Sequence, residues 1–263
     1  MSTSTYAVRD SATMLRRSLR HALRYPGMTI SSLAMPVLIM LLFAGLFGDT
    51  LGAGLGGAAH GGSYINYIAP GIILMGVGSG CVGIAVAVCT DMTEGIVARF
   101  KTMAISRASV LTGHVVGNMI QTLISTALVI AVAMLMGFRP TAGPVEWLAA
   151  AGLMVLLTLA LTWFGVALGL VSKTPEAASN KPLLVQFLPF LGSAIVPTDS
   201  MPAGIRWFAE YQPFTPLIET LRGLLTGGPI GHNGILAVSW CVVLLVIGYF
   251  WSKKLYNRDL TRS

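Results

Sequence analysis

The chain has 263 residues, 54% of them hydrophobic and only 10% charged, where a soluble domain carries about 25% charged residues. With a mean hydropathy of +0.75, it cannot cover a water-facing surface, which excludes a water-soluble globular domain and points to a bilayer as solvent. The net charge of +7 comes without an aromatic-interleaved basic patch, so it suits anionic lipid headgroups and not nucleic acid.

Residues 11–25 read as an amphipathic helix. Leu15, Leu19, Ala22 and Leu23 share one face, and Arg16, Arg17, Arg20 and Arg24 fill the other. Such a helix lies in the membrane interface, and Pro26-Gly27 ends it. Six apolar runs follow, at 30–47, 67–88, 111–136, 147–170, 183–196 and 236–251. Crossing a hydrocarbon core of about 30 Å takes about 20 helical residues. The second, third and fourth runs reach that length, and the first and sixth do so with their flanks. No cleavable signal peptide is expected, and the first run is expected to target the chain to the membrane.

The basic residues alternate in side. Arg9, Arg16, Arg17, Arg20 and Arg24 precede the first run, Arg99, Lys101 and Arg107 follow the second, Lys173 and Lys181 follow the fourth, and Lys253, Lys254, Arg258 and Arg262 follow the sixth. Only Arg139, Arg206 and Arg222 fall on the opposite side. The positive-inside rule then predicts six spans with both termini in the cytosol.

Gly52–Gly62 is low-complexity linker, and the formal GxGxxG at Gly78, Gly80 and Gly83 lies inside an apolar run with no preceding strand, so neither is a nucleotide site. Gly76/Gly80, Gly113/Gly117 and Gly165/Gly169 are small-xxx-small pairs that permit close helix packing in lipid. Cys81, Cys89 and Cys241 read as small buried hydrophobes without metal spacing.

After the second run comes a polar segment, 91–107. Asp91 reads as a solvated loop charge, and Thr93 can cap a short helix in which Ile96, Phe100 and Met103 form an apolar face flanked by Arg99 and Lys101. An exposed face of this kind is a docking knob. In the third run His114, Asn118, Gln121 and Ser125 line one face, either bonding to neighbouring helices or lining a substrate path. The fifth run is about 22 Å long as a helix, too short to cross, and Pro189 kinks it. Gln186 and Pro189 join His114, Asn118 and Gln121 as path candidates. Residues 201–210 and 216–225 read as short amphipathic helices that dip back into the membrane, with Pro197, Met201, Pro202, Pro213 and Arg222 as outer-gate candidates and Glu219 as a local partner of Arg222.

The Glu94-Gly95 loop, the stretch Ser193–Pro202, Gln212-Pro213 and the LRGLL of 221–225 together resemble the permease subunit of type-2 ABC exporters, of the daunorubicin-resistance kind, over essentially the whole chain. The resemblance implies an all-α membrane protein: a single transmembrane permease domain, 1–263, of six transmembrane helices, with an N-terminal interfacial helix (1–27), a coupling-helix loop (91–107) and two short extracellular re-entrant helices (197–230). Thr93, Glu94, Gly95, Ile96, Arg99, Phe100 and Met103 would contact an ABC ATPase subunit, present in two copies. A second permease chain would pair with this one as homodimer or heterodimer. Spans one, two and five would line a path for hydrophobic or amphipathic small molecules, and the setting would be a bacterial cytoplasmic membrane. Departures are Ala104 where many relatives have Pro, His114 where they have an Arg-like residue, Asn118 where they have an acid, and Gln212 where they have Asn; the neutral pair 114/118 argues against an intramembrane ion pair there.

No GxxxxGK[ST] occurs, so this chain is expected to hold no cofactor or metal, with MgATP on the partner ATPase. Two other functions are compatible with the composition. One is export of a cell-wall polysaccharide or lipid-linked glycan by the same fold. The other is an intramembrane hydrolase using Ser79 and His114, although Val77 stands where a rhomboid-like site needs Gly and no His pair at i, i+4 is present.

Overall fold

A computed structural model describes residues 34–48, 50, 64–93 and 107–259. The interfacial helix with Arg16, Arg17, Arg20 and Arg24, and the segment with Glu94, Gly95, Ile96, Arg99, Phe100 and Met103, lie outside the described residues. Every regular element among those described is helical. In chain order they are α1 (Ala34–Leu46), α2 (Tyr64–Thr93), α3 (Arg107–Leu135), α4 (Pro144–Val171), α5 (Pro175–Asn180), α6 (Leu183–Phe187), α7 (Ala203–Tyr211), α8 (Phe214–Thr226) and α9 (Asn233–Asp259), with single 3-10 turns at Leu188–Leu191 and Thr198–Ser200. The second half of α1, Leu41–Leu46, is wound as a π-helix.

Four helices among the described residues are long and apolar enough to cross a membrane: Tyr64–Thr93, Thr112–Leu135, Pro144–Val171 and Asn233–Tyr256. The protein is thus a multi-pass helical membrane protein. Its spans overrun the apolar runs, because α2 continues through the polar residues Asp91 and Thr93, and α3 begins at Arg107. The segment 91–107 is therefore not all loop. The fifth run does not form one kinked helix. It breaks into α6, a 3-10 turn and the irregular stretch 192–197.

The helices pack around α4, which lies against α2, α3, α8 and α9. Glycine makes the closest of these approaches possible. A Cβ at Gly165 would stand 2.7 Å from the Cys81 carbonyl oxygen, and one at Gly169 would stand 2.6 Å from that of Ala85. Any side chain there would push α4 off α2, so the small pair does what its spacing predicts. Gly80 likewise admits Thr122 of α3, and Gly248 of α9 meets the backbone of α4 at Phe164. Ile68, Ile72, Ile73, Leu74, Leu157, Leu161, Leu217, Ile218 and Leu221 fill the space between α2, α4 and α8, each at 1% exposure or less. By contrast α9 keeps Ile235, Val238, Val242, Val243, Val246, Ile247 and Phe250 exposed, the face expected toward lipid tails. All three cysteines are free and buried.

Candidate functional site

Two polar clusters stand out, one at each end of the bundle. The first is at the end where α2 begins. It is built on the 192–197 stretch, whose backbone groups lack a helical ladder and must find other partners. Tyr64 donates its hydroxyl to the Ile195 carbonyl at 3.0 Å. Arg222, on α8 and 7% exposed, donates Nη2 to the Ser193 carbonyl at 2.7 Å, Nε to the Tyr67 carbonyl at 3.1 Å and Nη1 to Glu219 Oε1 at 2.5 Å. The guanidinium also lies 3.8 Å from the centre of the Tyr67 ring. A buried cation requires this degree of pairing, and planar guanidinium suits three acceptors and an aromatic face at once.

The turn between α7 and α8 closes the cluster from behind. Gln212 is buried; its Nε2 donates to the Leu188 carbonyl at 3.2 Å and the Thr215 hydroxyl at 3.1 Å, while its Oε1 accepts from the Phe214 amide at 3.3 Å. Gly192 sits directly against Gln212 and Thr215, with no room for a Cβ. The connection from α3 to α4 is tied in as well, through Arg139 N–H to Asn66 Oδ1 at 3.0 Å and Thr141 N–H to the Leu225 carbonyl at 2.9 Å. Among the described residues, the Ser193 hydroxyl inside the cluster is buried with no hydrogen-bond partner. A buried hydroxyl left unpaired costs about 1–3 kcal/mol.

The gate candidates distribute unevenly around this cluster. Arg222 is its centre. Pro213 begins the turn into α8, whereas Pro197, Met201 and Pro202 flank the 3-10 turn before α7, and Pro202 is exposed. Of the path candidates, Pro189 is buried in its 3-10 turn, and Gln186 runs beside α2, its Cα 3.9 Å from where a Gly78 Cβ would stand. On α7, Arg206 pairs with Glu210 at 2.6 Å and Asp199 at 2.5 Å, and the Glu210 carboxylate with that of Asp199 raises its pKa.

The second cluster is at the end where α2 finishes. Asp91 is no solvated loop charge: its Oδ2 is 2.8 Å from His114 Nε2, joining α2 to α3. The neutral residue at 118, one turn along the same helix, offered His114 no ionic partner, and the neighbouring helix supplies one instead. Asn118 donates Nδ2 to the Thr162 hydroxyl of α4 at 3.0 Å. Gln121 is half-buried, and Ser125 is buried with Thr122 and Thr126. Thr93 ends α2, and its hydroxyl donates back to the Cys89 carbonyl at 3.0 Å. The Ser79 hydroxyl donates to the Gly76 carbonyl of its own helix at 2.6 Å, while His114 is engaged by Asp91, so the nucleophile–base pair of the hydrolase reading is not assembled. At this end Glu176 receives its own backbone N–H and the Thr174 hydroxyl, which hold its carboxyl below the ordinary range. Asn118→Ala is expected to cost about 0.6 kcal/mol through loss of the Thr162 bond, seen as a small drop in thermal midpoint in detergent.

Among the described residues the broken, polar-tethered segment lies between the third and fourth long helices, α4 and α9. The chain belongs to the ABC-2 type transporter family, whose model matches residues 10–226. It is 24% identical over 222 residues to the "Daunorubicin resistance ABC transporter permease protein DrrB1" of Streptomyces coeruleorubidus, covering 84% of this chain and 76% of that protein. It is 26% identical over 227 residues to the "Probable doxorubicin resistance ABC transporter permease protein DrrC" of Mycobacterium tuberculosis, covering 84% and 80%. A further match, 26% over 187 residues, is to the "ABC transporter G family member 20" of Dictyostelium discoideum, covering 69% of this chain and 25% of that protein.

Proposed function

We propose that this chain is the membrane subunit of an ATP-driven exporter that moves amphipathic small molecules, of the daunorubicin and doxorubicin kind, out of the cytoplasm or the inner leaflet. The observation that carries the reading is the 183–226 segment. Although apolar, it stops short of a spanning helix, breaks at Pro189 and returns as two amphipathic helices, α7 and α8, of which α8 is bonded to α2 through Arg222 and the Tyr67 carbonyl. Irregular backbone at membrane depth is tolerated only against protein or a wet cavity, which favours a position beside a permeation path.

In this reading the chain crosses the bacterial cytoplasmic membrane six times with both termini cytosolic. Alpha-helices α7 and α8 are the extracellular re-entrant pair, and the cluster around Arg222 faces the outside. Two copies of a separate ATPase, each binding MgATP, dock on the helix that carries Ile96, Phe100 and Met103. A second permease chain completes the path, with His114, Asn118, Gln121, Gln186 and Pro189 along it. The test is co-expression with its cognate ATPase in a drug-sensitive host. Doxorubicin accumulation is expected to fall only when both chains are present and ATP is hydrolysed. Full efflux by this chain alone, or none with both, would refute the reading.

A further inference from the structure

We propose that Arg222 is a latch that holds the 192–196 stretch across α2, and that transport requires its release. The proposal rests on the exporter reading and says how its outer end opens.

One side chain joins three parts of the molecule: the Tyr67 carbonyl and ring on α2, the Ser193 carbonyl on the broken segment, and Glu219 on α8. The segment it holds has no helical ladder of its own from 192 to 196. Its polar ties to α2 and α8 are the bond to Ser193 and the Tyr64–Ile195 bond. Packing adds two close seats: Gly192 lies against Gln212 and Thr215, and Ala194 lies on Gly71, where a Cβ would stand 2.8 Å from the Ala194 Cβ. A stretch held by two hydrogen bonds and two small-residue contacts, with no ladder of its own, is built to detach as a unit.

The test uses the full complex of permease and ATPase in membrane vesicles, with Cys81, Cys89 and Cys241 replaced by serine or alanine and the background first verified for efflux. A single Ala194→Cys is then labelled with a membrane-impermeant maleimide. Arg222→Gln is expected to speed labelling at least tenfold, and Tyr64→Phe, which loses only the bond to the Ile195 carbonyl, to speed it less. Equal rates in all three backgrounds would overturn the latch, and this arm needs no transport at all. In a second arm the Ala194→Cys protein with Arg222 intact is labelled with and without ATP hydrolysis. Labelling is expected to speed at least tenfold during turnover. An unchanged labelling rate in a complex that is exporting drug would overturn the proposal. Absence of ATP-driven efflux in the unmodified complex would instead count against the exporter reading.

Discussion

Gly165→Val is expected to abolish recovery of the folded protein. The new side chain has to occupy space 2.7 Å from the Cys81 carbonyl oxygen, beside the Ile84 side chain and 3.2 Å from the Cys81 sulfur. A carbonyl in the middle of α2 cannot swing aside as a side-chain tip can. The helices must separate, and the α2–α4 contact on which the rest of the bundle is assembled is lost with them. Overpacked cores lose roughly 1–3 kcal/mol, and a backbone obstruction belongs at or above the top of that range. The measurement is monodisperse yield and thermal midpoint in detergent. Gly152→Val, in the same helix but with nothing within 4 Å of its Cβ position, is the control and is expected to behave as the parent. Parent-like yield from the Gly165 variant would mean that α4 and α2 do not meet as described.

Phe100→Asp is expected to separate the chain from the ATPase proposed above. Ile96, Phe100 and Met103 form the apolar face that the sequence pattern offers for docking in the segment after α2. An aromatic anchor at the centre of such a contact carries about 2 kcal/mol or more, roughly a thirty-fold change in affinity. A carboxylate in its place adds the cost of desolvating a charge. The readout is the amount of ATPase retained when the permease is captured from detergent, together with loss of doxorubicin efflux. Undiminished retention with undiminished efflux would remove Phe100 from the contact.

Much of the fold could be read from the chain because its signals are local. The runs behind α2, α3, α4 and α9 are long and apolar, and the shortness of 183–196 with Pro189 inside it pointed to a kink, short of the full break that forms. The amphipathic spacing behind α7 and α8 placed both helices to within a few residues. Partners across space were harder. Glu219 was foreseeable for Arg222 because i, i+3 pairs share a helix face. The Tyr67 and Ser193 carbonyls were not, since a backbone acceptor leaves no mark on residue identity. Asp91 looked like a loop charge because helix ends are set by packing as well as by hydropathy, and α2 runs on through it to Thr93. His114 then had a partner 23 positions back, on a different helix, which no periodicity on α3 encodes.

Pro70 lies inside α2, immediately before Gly71 and three residues after Tyr67. It supplies no amide to the Asn66 carbonyl, so the ladder of α2 has a missing rung at the level where Ala194 rests. That makes the helix two levers and not one. The short arm, Tyr64 to Ala69, holds both tyrosines, while the long arm reaches down to Asp91 and its histidine. Tilting of the short arm need not disturb the glycine seats on α4 farther along, and a push arriving at the far end of the long arm is delivered to the joint itself.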